Sequence, residues 1–168
     1  GANATGRPFT GDYAGILLYE TLYAFGLSTA PQSVAADDNL RLIGCRISNS
    51  VKCVPPGNKP LPAEIATCNR YLVHELAGVK EGTVLLALGA IAHGAVLRAL
   101  GLKQSAFAFA HGNEHALPRK LTMVDSYHCS RYNTNTRRLT TEMFRTVVGR
   151  ATQMTGKRTS DYPPTPIP

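Results

Sequence analysis

The sequence predicts an α/β fold with a mainly parallel sheet, and three observations carry that reading. Short apolar runs alternate with amphipathic stretches along the chain, which is the pattern of strands interleaved with helices. The run TVLLAL at 83–88 is continuously apolar, as a parallel strand covered on both faces requires. Of the 168 residues, 43% are apolar, enough for one domain to bury a real core.

Taken in order, residues 1–12 are rich in Gly and Pro and read as a loop. Asp12 then precedes a helix to about Phe25, with Leu18, Leu22 and Phe25 on one face and Gly26 as its stop. Residues 28–39 are a polar connection. The branched apolar residues of 40–51 read as a buried strand. A helix follows Pro62, whose ring suits a first turn, with Glu64 favourable near the N-terminus. Ile65, Cys68, Leu72 and Leu76 form its apolar stripe.

The strand at 83–88 runs through Gly89 into a helix ending near Leu100. Residues 106–110 and 121–126 read as two further strands. The last helix, 139–149, buries Leu139, Met143 and Val147, or Phe144 and Val148. In open parallel sheets the ligand site lies beyond the carboxyl ends of the strands. The loops that leave strand ends here are 49–60, 89–93 and 127–135.

Composition narrows the class. The net charge of +7 is unevenly spread: Arg131, Arg137, Arg138, Arg145, Arg150, Lys157 and Arg158 face only Glu142 and Asp161 over the same stretch. Such a surface fits a polyanionic partner, and it equally fits a solvated face that keeps a protein soluble. No apolar run approaches the roughly 18–20 residues of a membrane span, and no signal peptide is visible. Four cysteines without paired short spacings do not read as a disulfide scaffold, so a reducing cytoplasm is expected. The chain opens Gly-Ala-Asn without an initiator Met and reads as cut from something longer. Residues 1–154 are expected to form the domain and 155–168, with four prolines, a flexible tail.

Cys53 and Cys68 stand with fourteen residues between them, separated by a rigid Pro55-Pro56 turn and a helix start. Two thiolates are half of an iron–sulfur site, which normally takes four. They read equally as buried core thiols.

Five segments then occur in order: GRPFTGDYAG at 6–15, NSVKCVPPGNKPLPAEIATC at 49–68, VLLALGAIAHGAVLRALG at 84–101, FAHGNEH at 109–115 and SYHCSRYNTNTRRLT at 126–140. Together they resemble the iron–sulfur branch of the uracil-DNA glycosylases, over almost all of residues 1–150. Thr10-Gly11-Asp12 is most like family 5; family 4 usually has a non-acidic residue where Asp12 stands. The Lys/Arg-rich histidine loop of the cross-linking uracil-binding relatives is absent. The resemblance implies a three-layer α/β/α sandwich around a central, mainly parallel four-stranded sheet.

It also implies residue roles. Phe9 would be a stacking platform for a flipped base, although a loop Phe is also a plain core anchor. Asp12 is a natural helix N-cap, and the resemblance adds the task of orienting the water that attacks C1′. Asn49 would pair with the N3–H and O4 edge of uracil, since an amide offers both a donor and an acceptor. Asn58 would lie near the water and the leaving base; each asparagine also suits an Asx turn. His128 would donate to uracil O2 where negative charge develops. Cys129 stands where the family's His-Pro-Ser motif has proline. Ser130, Arg131, Tyr132 and Asn133 would enter the duplex gap and grip phosphates, the plain alternative being an exposed polar loop. Cys53 and Cys68 resemble two of four ligands to a 4Fe-4S cluster, with the other two expected ahead of Gly1. His74, His93, His111 and His115 receive no role.

The implied activity is monofunctional: uracil is flipped out of DNA and its N-glycosidic bond hydrolysed, leaving an abasic site. Water is the nucleophile, because no lysine matches a Schiff-base position. Hypoxanthine, xanthine and ethenocytosine are further candidate substrates. The expected partner is DNA carrying such bases, for a monomer acting in a prokaryotic cytoplasm at the nucleoid. A non-catalytic iron–sulfur damage sensor of the same fold is the alternative. An iron–sulfur redox carrier would leave Phe9 and the 127–135 loop unexplained.

Overall fold

The computed structural model describes residues 5–52 and 61–156, and the protein is α/β. The elements in order are α1 (Tyr13–Ala24), α2 (Pro62–Ala77), β1 (Val84–Leu88), α3 (Ala90–Ala99), β2 (Glu114–Ala116), β3 (Thr122–Ser126), α4 (Arg131–Asn135) and α5 (Thr141–Met154). Short 3-10 turns lie at Gln104–Ala106 and Pro118–Lys120. The chain divides into two compact units, one spanning Asn49–Ser126 and the other combining Gly1–Ser48 with Tyr127–Pro168.

The unit Asn49–Ser126 holds the sheet, in the order β1-β3-β2. β1 and β3 run parallel, in register from Val84 opposite Thr122 to Leu88 opposite Ser126. β2 pairs antiparallel with β3, Glu114 facing Val124. Helix α3 packs on β1 and on α2, and the core beneath them gathers Leu72, Leu76, Ala87, Leu97, Leu121 and Met123. This is the burial on which the sheet rests, since two or three short strands are not stable in water alone. Between the helices, buried Asn69 donates from Nδ2 to the Ala95 carbonyl at 2.8 Å.

α2 begins as its sequence suggests. Pro62 occupies the first turn, and Glu64 turns back to accept the Leu61 N–H at 2.7 Å. Its far end is tied by Arg119, whose guanidinium donates to the carbonyls of Leu76 and Val79. Arg119 and Lys120 both have positive φ, so two consecutive left-handed residues turn the chain into β3.

In the unit formed by Gly1–Ser48 and Tyr127–Pro168, α1 packs on α5. α1 buries Leu17, Leu18, Tyr19 and Leu22, and α5 buries Phe144, Val147 and Val148. Gly149 lets the helix approach Phe25 closely: a Cβ there would stand 3.0 Å from the phenyl ring. Thr140 caps α5, its hydroxyl accepting from the Met143 N–H at 3.2 Å.

Four local expectations change. Residues 40–51 form no strand beyond one isolated bridge between Ser28 and Leu42. Of that run only Leu40 is buried, and Gly44 takes a φ of 64°, so neither two-sided burial nor extended backbone is available. Residues 106–110 are also not a strand, because the carbonyls of Phe107 and Ala108 are engaged by the side chains of His93 and Asn113. β2 supplies the antiparallel edge in their place; at three residues it is too short for any alternation to betray it. Part of the 127–135 loop is helical, as α4. The sheet among the described residues is therefore three-stranded and mixed, where four mainly parallel strands were expected.

Candidate active site

The Gly-Arg-Pro-Phe-Thr-Gly-Asp segment leads directly into α1. Asp12 is the N-cap: its backbone is extended, and Oδ1 accepts the Gly15 N–H at 2.8 Å. The cap satisfies an orphan donor of the first turn and fixes the carboxylate at the positive end of the helix dipole. Phe9, three residues earlier, has a φ of 62°, an unfavourable value for a bulky side chain.

The ring of Phe9 lies against His128, with centroids 5.8 Å apart and planes tilted by 33°. His128 follows β3 and is partly buried. Burial lowers its pKa from the ordinary imidazole value, and the Asp12 carboxylate opposes that shift more weakly. Asp12 thus acts on His128 electrostatically, so three of the expected site residues converge in one unit. His128 is held by its own backbone: its carbonyl accepts from Asn133 Nδ2 at 2.8 Å.

Cys129 is fully buried, and burial pushes its thiol up to about 12, which keeps it protonated and inert. Ser130 caps α4, its hydroxyl accepting the Asn133 N–H at 3.4 Å. Arg131 and Tyr132 are exposed on that short helix, Tyr132 at 72%. The Arg131 guanidinium sits 5.0 Å above the Tyr13 ring, and Arg138 stacks at 4.7 Å on Tyr127.

Of the remaining expected site residues, Asn49 is exposed at the start of the sheet-bearing unit. Cys68 is buried on α2, lining a shallow hollow with Ala63, Glu64 and Thr67. Asn58 and Cys53 lie outside the described residues, as does the tail from 157 onward.

The structure also assembles a cluster that sequence reasoning left without a role. Asp125 on β3 is wholly buried, with Oδ1 2.9 Å from His93 Nδ1 and Oδ2 2.9 Å from His115 Nε2. His93 Nε2 faces the Phe107 carbonyl at 3.0 Å. Both His93 nitrogens are therefore engaged, Nδ1 by the Asp125 carboxylate and Nε2 by the Phe107 carbonyl. Two imidazoles and a carboxylate could also hold a metal ion. Each carboxylate oxygen meets one imidazole nitrogen, so the three side chains form one hydrogen-bonded relay. The signal was an Asp inside an apolar strand, which demands buried partners.

Comparison with known proteins completes the assignment. The family model described as the uracil DNA glycosylase superfamily matches residues 1–151. A Type-5 uracil-DNA glycosylase of Thermus thermophilus is 47% identical over 156 residues, covering 93% of this chain and 71% of that protein. One from Pyrobaculum aerophilum is 41% identical over 151 residues, covering 90% and 65% respectively. One from Mycobacterium tuberculosis is 39% identical over 158 residues, covering 93% and 59%. The chain therefore spans about three-fifths to seven-tenths of the length of these relatives. It belongs to the uracil-DNA glycosylase superfamily.

Proposed function

We propose that the protein is a monofunctional DNA glycosylase that excises uracil from DNA and so initiates base excision repair. The observation that carries this reading is the convergence of the Phe9 ring, the Asp12 carboxylate and His128. A flipped uracil stacks on Phe9, which excludes water from one face. His128, kept neutral by burial, donates to O2 as the glycosidic bond breaks and its electron pair passes to the base. Asp12 orients water toward C1′; the water adds there and its proton passes to solvent or the leaving base. Asn49 and Asn58 complete the reading of the base, and Ser130, Arg131, Tyr132 and Asn133 hold the opened duplex.

Cys53 and Cys68 are two of four ligands to a 4Fe-4S cluster in this proposal. The buried Cys68 thiol, beside a small hollow, fits one such ligand. When bound, the cluster supplies a cross-link between chain segments. The same proposal includes a monomer, a three-layer sandwich around a four-stranded sheet and action at the nucleoid. Hypoxanthine, xanthine and ethenocytosine are further substrates to be tried. No described helix is long and apolar enough to cross a membrane.

The test is to incubate the whole protein with a duplex carrying one uracil and then treat it with hot alkali. A single break at the uracil is expected. No break would sink the enzyme reading, and tight binding of the same duplex without a break would support the damage-sensor alternative.

A further inference from the structure

One group of side chains is devoted to the backbone on either side of Phe9. Arg7 directs Nη1 to Asp38 Oδ1 at 2.7 Å, Ser33 Oγ at 2.8 Å and the Ala35 carbonyl at 3.2 Å. Asp38 in turn accepts the N–H groups of Val34 and Ala35 on Oδ2 and that of Leu40 on Oδ1. The Arg7 guanidinium holds the Asp38 carboxyl well below the usual carboxylate range, so the brace stays ionised. Ser33 extends it to the motif: its hydroxyl is 2.7 Å from Thr10 Oγ1, and its carbonyl accepts the Gly11 N–H at 3.1 Å. On the other side the Tyr19 hydroxyl donates to the Pro8 carbonyl at 2.9 Å.

Pro8, Thr10 and Gly11 are thereby fixed, and Phe9 between them is left in the left-handed region. A bulky residue persists there only when its surroundings over-determine it, and such strain gathers at functional sites. Gly15 is the second half of the device. A Cβ at Gly15 would fall 1.8 Å from the Phe9 carbonyl oxygen and 3.5 Å from Asp12 Oδ1. No side chain fits there without moving the Phe9 backbone, while the Gly15 N–H holds Asp12.

The geometry points to Gly15 and the Arg7–Asp38–Ser33 brace as positioning residues. They set the Phe9 ring and the Asp12 carboxylate at one fixed separation. The inference rests on the reading of Phe9 as the base platform and Asp12 as the group that orients water. Neither Ser33 nor Asp38 belongs to a segment that carries the family resemblance.

The test compares the whole wild-type protein with Gly15→Ala, Asp38→Asn and Ser33→Ala, each with para-fluorophenylalanine at position 9. Single-turnover excision, duplex affinity and the fluorine NMR line of residue 9 are measured on each. For Gly15→Ala the excision rate should fall on the order of 100-fold with duplex affinity within about threefold, and the fluorine line should shift or split. Asp38→Asn and Ser33→Ala should move both readouts the same way by about tenfold in rate. A wild-type fluorine line and a rate within about threefold in all three variants would overturn the proposal. Equal losses of rate and affinity would also overturn it, as the mark of a merely structural role. If Gly15→Ala fails to fold, the other two variants decide. If the wild-type protein excises nothing, the functional reading fails by itself. The fluorine line then judges the brace, moved lines supporting it and unmoved lines refuting it.

Discussion

The Phe9 and His128 rings meet with centroids 5.8 Å apart, one from the loop that enters α1 and the other from the segment that leaves β3. A base stacked on Phe9 would therefore lie beside an imidazole that burial keeps neutral. Replacing Phe9 by Ala should slow single-turnover excision of uracil by roughly 10- to 100-fold, the scale of one base–aromatic stack at about 1–3 kcal/mol. Duplex binding in the absence of uracil should change little. Unchanged excision would return Phe9 to the plain role of a core anchor.

His128 sets an acid limit with a definite sign. Its folded pKa lies below the ordinary value of 6.5, so the unfolded chain takes up that proton first on acidification. The contribution of neutral His128 to stability is complete above about pH 6.5 and falls away as pH drops toward the folded value. The pH profile of kcat/KM, which reports the free enzyme, should place the acid limb of His128 below the ordinary imidazole value. An acid limb at or above that value, abolished by His128→Gln, would contradict the neutral-donor role.

Asp12 caps α1, and one substitution separates that cap from the proposed task of orienting water. Asn caps a helix about as well as Asp, so Asp12→Asn should cost less than about 0.5 kcal/mol of stability in urea unfolding, whereas Asp12→Ala should cost about 0.5–2 kcal/mol. Both should lose excision by two orders of magnitude or more, of the order attributed to a positioned acid–base group. Near-full activity in Asp12→Asn would leave Asp12 as a cap alone.

Asp125 is buried between two histidines, and breaking one partner strands a charge. His93→Ala should destabilise the protein by about 3–5 kcal/mol in urea unfolding, as loss of one member of a buried pair does. A cost under about 1 kcal/mol would mean that the relay carries no buried charge. Stoichiometric zinc bound by the wild type and absent from His93→Ala would identify a metal centre instead.

The cysteines should react unequally. In the folded protein at mildly alkaline pH, iodoacetamide should modify exposed Cys45 and spare Cys129, whose thiol is pushed up to about 12 by burial. Peptide mass spectrometry reads this directly. Modification of Cys129 at the rate of Cys45 would contradict the buried placement of that loop.

What was legible in the sequence had a period or a cap. α1, α2, α3 and α5 announced themselves through Asp12, Pro62, Gly89 and the spacing of their apolar faces, and β1 through a continuous apolar run. Residues 40–51 misled because branched apolar composition mimics a strand, yet only Leu40 is buried and Gly44 turns the backbone. β2 and α4 were illegible because three and five residues hold less than two periods of burial signal, too little to show a repeat.

The site divides the same way. Phe9, Asp12 and His128, the residues of the proposed site, each lie in a contiguous motif that the sequence displays. The pairing of Arg7 with Asp38 spans 31 residues, and that of His93 with Asp125 spans 32. No local pattern encodes such partners; they follow from which turns and strand ends the fold brings together.

The most direct measurement is the release of free base. The whole protein, in excess over a duplex with one uracil, should liberate one equivalent of free uracil by chromatography and mass spectrometry, matched by one equivalent of abasic site, while Asp12→Asn liberates almost none on the same timescale. Duplex bound with no uracil released by the wild type would contradict the claim that Phe9, Asp12 and His128 form an excision site.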